Sequence, residues 1–403
     1  MIIEYKNKDI ILGICLFIIF FNTLIIIYNP DCPFHVDYVQ YIKSINSFYD
    51  KKVVEDTVNG KFLYVYLMAL LLTPFKLLNL NLFNGMVFVT GLFQALIVYL
   101  FYKYTKSLLK TILMSTTLTF LTFIGNAESV MLSSVFLLLF FIYRDKPYSA
   151  FFITIASFIR LDFAVYYLFA RNKTAILPIA VTFLQWLNGR FYIDSDFGIN
   201  PYIVPAIFVF LFSYGVYFAL FMPFAESKKS RLDCLILFLI VIFFIVFLKF
   251  PSQKVFFFPV ILSFMLYDIK LPNYRHMPIG LPRMKYILIV LVIINIVLAS
   301  ATLIRRNNIC SADSFYIYSE LHDSSIHFGV FQPYLDYRSK HIPEPYEYRI
   351  AIAKSEKWGV YGSNCKNKSD YLIAEDWRNA QLYYLPYKFC LEKWREENAN
   401  HTP

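Results

Sequence analysis

Charge is scarce in this chain. Asp, Glu, Lys and Arg make up 16% of its 403 residues, against about 25% in a typical soluble domain. Glycine is scarce as well, at 12 residues, and nowhere forms the Gly-rich turn whose backbone amides cradle a nucleotide phosphate. The six cysteines and six histidines include no CxxC pair and no histidine cluster, so no metal site and no bound cofactor is read from them. No short-period repeat is present. These deficits exclude most soluble enzyme classes and the zinc and nucleotide folds.

What the chain has is apolar surface. It is 58% apolar and 20% aromatic, its mean hydropathy is +0.52, and its apolar runs approach the ~20 residues that cross ~30 Å of hydrocarbon as a helix. The fold class expected is therefore an all-α polytopic membrane protein. Net charge is +10, yet residues 305–403 carry 13 basic and 13 acidic side chains, so the excess belongs to residues 1–304. Short basic loops orient membrane helices and meet anionic headgroups. The charge therefore calls for membrane lipids as partners and for no nucleic acid.

The first run, Ile10 to Tyr28, follows Lys6 and Lys8. It reads as a membrane anchor in preference to a signal peptide, being longer than a signal core and ending in Asn29-Pro30-Asp31 without a small-residue cleavage site. Its lysines then face the cytosol and residues 29–61 form a first lumenal loop. Within that loop Tyr38, Tyr41, Ile42, Ile45 and Phe48 recur at helical spacing, which predicts a helix lying along the membrane surface. Further spans are predicted over Phe62–Leu78, Leu82–Tyr102, Thr111–Ile124, Ser129–Tyr143, Tyr148–Ala170, Thr174–Leu187, Pro201–Phe221, Cys234–Phe250, Val255–Tyr267 and Tyr286–Ile304, giving about eleven crossings. Spans broken by Pro and Gly need protein or a wet cavity to satisfy their backbone, so an interior cavity is expected.

Two domains follow: a membrane domain over 1–304 and a small mixed soluble domain over 305–403, placed on the lumenal side by an odd number of crossings. Cys32, Cys310, Cys365 and Cys390 would share that oxidising side, permitting one or two disulfides whose pairing the spacing leaves open.

Charged and polar residues at or inside apolar runs are the candidates for chemistry. Asp31 sits just past the first run, with His35 and Asp37 in the same loop. It is either a turn residue after a helix end or a carboxylate placed to take a proton from a hydroxyl, the work of a general base. Glu128, between two apolar runs, is either a hairpin residue or a group aimed inward. Arg160 and Asp162 fall inside one run and would pair or snorkel, since leaving either uncompensated costs roughly 2.5–3.5 kcal/mol. Lys254 is either a topological charge or a phosphate ligand.

The order of these features resembles that of the dolichyl-phosphate-mannose-dependent α-mannosyltransferases, the group that builds glycosylphosphatidylinositol (GPI) anchors and lipid-linked oligosaccharides. Asn29-Pro30-Asp31 resembles the family's His-Pro-Asp-Glu signature. Asn126-Ala127-Glu128 is similar to its Asn-x-x-Glu element, and Ala156 to Arg160 to its Ala-x-x-x-Arg stretch. Phe191 to Ser195 resembles its Asp-Ser-x-x-Tyr-Gly region in scrambled order. Tyr214-Gly215 with Pro223 resembles its Tyr-Gly motif, and Ser252 to Val260 its His-Lys-Glu-x-Arg-Phe-x-x-Pro segment. The resemblance covers about 29–262. Asn29 stands where the family has His, Cys32 where it has Glu, and the Trp of the Tyr-Gly element is missing, so the chain resembles a divergent member.

The resemblance implies a C-type glycosyltransferase fold in the endoplasmic reticulum (ER) membrane, multi-pass, with dolichyl-phosphate mannose as donor. It further implies Asp31, with Asp37 as substitute, as the catalytic carboxylate, and His35, Glu128, Arg160 and Lys254 as residues for substrate and donor phosphate. The acceptor expected is a glycolipid, namely a GPI precursor receiving its third mannose in α-1,2 linkage, with the lipid-linked oligosaccharide as the other acceptor. Outside the enzyme class stand a lipid or sugar transporter and an inactive subunit of a membrane complex.

Overall fold

A computed structural model describes residues 2–28, 36–52, 61–125, 127–171, 203–217, 225–227, 231–247, 253–269, 281–310, 358–361, 371–376 and 387–393, with residues 180 and 200. The chain forms two compact units, Met1–Pro30 with Ser44–Ala301, and Asp31–Lys43 with Thr302–Pro403. Most of the described residues are helical.

The helices of the first unit are α1 (Ile2–Tyr28), α2 (Val36–Lys51, which begins in the other unit), α3 (Phe62–Leu77), α4 (Leu82–Thr105), α5 (Leu108–Ser115), α6 (Leu118–Thr122), α7 (Ser129–Ile142) and α8 (Ser149–Ile159). A 3₁₀ arm over Leu161–Phe169 follows, and then α9 (Ile203–Tyr214), α10 (Arg231–Phe247), α11 (Gln253–Leu266) and α12 (Leu281–Cys310), the last running on into the second unit. A two-stranded antiparallel ribbon joins β1 (Ala225–Ser227) to β2 (Tyr267–Ile269). Two helical segments, residues 7–27 and Leu82–Thr105, are long and apolar enough to cross a membrane, and several shorter helices are equally apolar.

Local chemistry sets these boundaries. Asn81 caps α4 by accepting from the Phe83 amide at 2.8 Å, and Lys106 closes it in the left-handed region at φ 54°. The expected span Thr111–Ile124 is instead two short helices. Thr116 and Thr117 turn their hydroxyls onto the carbonyls of Ile112 and Met114, at 2.6 and 2.8 Å, and Thr117 then caps α6. Hydroxyls that bond local backbone compete with helix continuation.

The expected single span Tyr148–Ala170 also requires correction. The helix stops at Arg160, which is extended at φ −144°, ψ 117°, and the chain turns back as the 3₁₀ arm. Eleven α-helical residues rise about 16 Å and nine 3₁₀ residues return about 18 Å. The two ends of the segment therefore meet, with Arg171 Nη1 reaching Asp145 Oδ1 at 3.5 Å. The segment does not run through from one end of the bundle to the other.

A second departure concerns α1, α3 and α4. Cys15 Sγ donates to the Ala95 carbonyl at 3.4 Å, whereas Asn22 meets Gln94 and lies against Gly91. Positions that fall along α1 thus rise along α4, and the two helices are antiparallel. Strict alternation through α3 would have made them parallel. The start of α1 and the end of α4, bearing Lys103, consequently share one end.

Packing centres on α7 and α11. Nearly every side chain of α7 is buried, the mark of a helix surrounded by protein, and it packs on α4 and α8. On α11, Phe257 stacks on Phe120 at 5.9 Å and meets Phe123 edge-on, while Phe258 contacts Phe141, Phe163 and Tyr166. The second unit holds a three-stranded antiparallel sheet in the order β3 (Trp358–Tyr361), β5 (Tyr387–Lys393), β4 (Tyr371–Asp376). The side chains of Cys32, Cys310, Cys365 and Cys390 lie outside the described part, and the disulfide expectation with them.

Candidate functional site

Glu128 occupies the N-cap position of α7 and makes no capping hydrogen bond. Ser, Thr, Asp or Asn would stabilise that helix end, so the position gives up a favourable cap. Its carboxylate turns instead to α11, where Lys254 Nζ donates to Oε1 at 2.5 Å. Both residues are buried, at 2% and 8% exposure. Glu128 Oε2 is also buried and has no hydrogen-bond partner among the described residues. A buried carboxylate oxygen with an open lone pair can accept from a hydroxyl, and the ammonium beside it can attract an anion.

The hairpin α7–α8 brings a second pair to this end. Because the two helices are joined by a short turn and pack along each other, the start of α7 and the finish of α8 coincide. Arg160 there holds Asp162 with two bonds, Nε to Oδ1 at 3.0 Å and Nη2 to Oδ2 at 2.7 Å. Its guanidinium lies 5.7 Å from the Phe163 ring centroid. Phe163 and Tyr166 pack on Phe258 at 5.8 and 5.0 Å, one helical turn beyond Lys254. Each cation thus faces a carboxylate, which offsets the several kcal/mol that burying an ion costs.

The opposite end of the hairpin is closed by a pair that sequence reasoning did not single out. Arg144 Nη2 donates to both oxygens of Asp233, at 2.9 and 3.2 Å. Asp233 lies in the first turn of α10, so α10 starts where α7 ends. Asn200 then takes the carbonyls of Ile245 and Val246 at the far end of α10 with its side-chain and backbone N–H groups.

Of the residues expected from sequence, the structure joins Glu128 to Lys254 directly and sets Arg160 at the same end of the hairpin, paired with Asp162. Lys254 is buried in an ion pair, which removes its reading as a surface topological charge. Asp31 and His35 lie outside the described residues. Asp37 lies on α2, its side chain outside the described part. The segment Phe191–Ser195 is likewise outside. Tyr214-Gly215 ends α9: Gly215 has φ +64°, and a Cβ there would collide with the Asn295 side chain.

Sequence reading missed Asn22, Gln94 and Asn295, three buried amides. A signal existed for Asn295, the single polar residue between Tyr286 and Leu298, since polar groups within apolar runs are costly and bond to neighbouring elements. Comparison with protein family models, curated proteins and solved structures finds no match to this chain.

Proposed function

We propose that the chain is a multi-span mannosyltransferase of the ER membrane that transfers mannose from dolichyl-phosphate mannose to a GPI-anchor precursor on the lumenal side. One observation carries the proposal. Asn126-Ala127-Glu128, Ala156 to Arg160 and Ser252 to Val260, distant in sequence, contribute Glu128, Arg160 and Lys254 to a single end of the α7–α8 hairpin. The same three stretches carry the family resemblance.

The membrane setting has support of its own. Leu12, Leu16, Phe17, Phe20 and Ile27 on α1 are each more than half exposed, as are Leu232, Leu235, Phe238 and Leu239 on α10. Apolar area of that extent calls for apolar surroundings.

In the proposed reaction the Asp31 carboxylate takes the proton of an acceptor hydroxyl as that oxygen forms a bond to the anomeric carbon. The bond from that carbon to the phosphate oxygen breaks, its electron pair leaving with the phosphate, and the single displacement inverts the sugar. Lys254 and Arg160 would face the leaving phosphate, and Glu128 Oε2 would accept from a sugar hydroxyl. Purified protein in lipid, given radiolabelled dolichyl-phosphate mannose and a GPI precursor, should pass label to the precursor. A two-mannose precursor as the preferred acceptor corresponds to addition of the third mannose. Label entering only a dolichol-linked oligosaccharide would move the acceptor to that class. Movement of intact donor across the bilayer without transfer would overturn the enzyme reading in favour of a transporter.

A further inference from the structure

The short connection from α6 to α7 carries Glu128, and side chains from two other helices grip its backbone. The Gly125 amide, at φ +76°, donates to Asn22 Oδ1 at 2.8 Å. The Ala127 carbonyl accepts from the Tyr64 hydroxyl at 3.1 Å. Asn22 is fixed in turn, since its Nδ2 donates to the Ile18 carbonyl at 2.8 Å and to Gln94 Oε1 at 3.2 Å. Gln94 Nε2 donates to the Phe120 carbonyl in α6 at 3.3 Å. A continuous path of hydrogen bonds thus runs Phe120, Gln94, Asn22, Gly125, clamping both ends of the stretch that leads into Glu128. Asn22 and Gln94 are 1% and 0% exposed.

We propose that Asn22 is a positioning residue for the Glu128–Lys254 pair, acting through the Gly125 amide, with Gly91 leaving the space that Asn22 occupies. The proposal builds on the site assigned above. An amide used only to hold α1 to α4 would spend its bonds on those two helices. Asn22 instead commits its one acceptor oxygen to the loop. Gly91 belongs to the device because a Cβ there would come within 2.8 Å of Asn22, pushing it off the loop. Gly125 lies in the left-handed region, where a glycine has many backbone conformations open to it, and the bonds at 125 and 127 restrain the loop there.

The test uses full-length protein in lipid and three backgrounds: unmodified, Gln94→Leu and Asn22→Leu. In each, a double-mutant cycle of Glu128→Gln with Lys254→Met, read as melting temperature, measures the coupling of that pair. Gln94→Leu should lower the melting temperature while leaving the coupling largely intact, because Asn22 still holds Gly125. Asn22→Leu should at least halve the coupling. It should also lower kcat for mannosyl transfer by about 10²-fold, the scale of a misplacement near 1 Å, with KM for donor little changed. Gly91→Ala, which keeps every hydrogen-bonding group, should reproduce the loss of coupling if Asn22→Leu does not fold. Unchanged coupling in Asn22→Leu, or in Gly91→Ala where it replaces it, would overturn the proposal. Lost coupling in a protein that transfers no mannose at all would uphold the positioning role and reject the enzyme reading.

Discussion

Arg144 holds both carboxylate oxygens of Asp233 across 89 positions of sequence, with both side chains 6% exposed. The contact ties the turn between α7 and α8 to the first turn of α10, and Arg171 approaches the same carboxylate at 3.9 Å. The end of the hairpin away from Glu128 is therefore closed by charge, with Asp145 and Arg171 beside the buried pair.

Removing one partner of this pair should be costly. Asp233→Ala strands a buried guanidinium and should destabilise the protein by about 3–5 kcal/mol, measured by denaturant or thermal unfolding in detergent. Replacing both partners with apolar residues of similar volume should recover much of the loss. A single variant as stable as the parent would mean that water reaches Arg144.

The return of the chain at Arg160 makes a topological prediction. Single cysteines introduced as Asp145→Cys and Arg171→Cys should react with a membrane-impermeant maleimide from the same side. Labelling from opposite sides would restore Tyr148–Ala170 as a crossing helix.

For the proposed reaction, Asp31→Asn keeps size and loses the proton acceptor, so transfer should fall by about 10²- to 10⁴-fold in a folded, inserted protein. Asp37→Asn should cost less. Near-normal transfer by the first variant with none by the second would assign the base to Asp37. Lys254→Met should lower kcat for mannosyl transfer more than it raises KM for dolichyl-phosphate mannose, because a cation facing the leaving phosphate acts on the charge that develops as the bond breaks.

Gly215 offers a purely structural test. Its φ is +64°, and Asn295 binds around it, accepting from the Val216 amide at 3.0 Å and donating to the carbonyls of Thr116 and Tyr214. Gly215→Ala adds left-handed strain of order 1–3 kcal/mol and a collision with Asn295 on top. A melting temperature equal to the parent's would show that α12 can give way there.

Much of the helix order was legible from hydropathy. The predicted Ser129–Tyr143 and Leu82–Tyr102 differ from α7 and α4 by only a few residues, because caps and charges mark the ends of those runs. The errors have a common physical cause. A hydropathy sum over Tyr148–Ala170 is the same whether the chain runs straight or doubles back, and the break at Thr116 consists of hydroxyls that solvate their own backbone inside an apolar run. The signal for the first was present in Arg160 and Asp162, two charges at the middle of the stretch and close enough to pair with each other. The partnership of Glu128 with Lys254 had no local signal, since nothing in either neighbourhood specifies the other. Asp31, the residue on which the proposed chemistry depends most, is singled out by its place after the first apolar run and takes its catalytic role from the resemblance of Asn29-Pro30-Asp31 to the family signature.

The two ion pairs at the site differ in when they can form as the chain is synthesised. Arg160 brings its counter-charge two residues later, so the tip of its hairpin is self-neutralised almost as soon as it is made. Glu128 has to wait for α11, which leaves the ribosome after α8 and α10. Until then the carboxylate has no lysine, and α7 cannot settle among apolar neighbours without stranding a charge. The arrival of Lys254 is thus the event that lets the central helix of the bundle close, and a chain truncated before α11 should remain a substrate for membrane quality control even though α1 to α8 are complete.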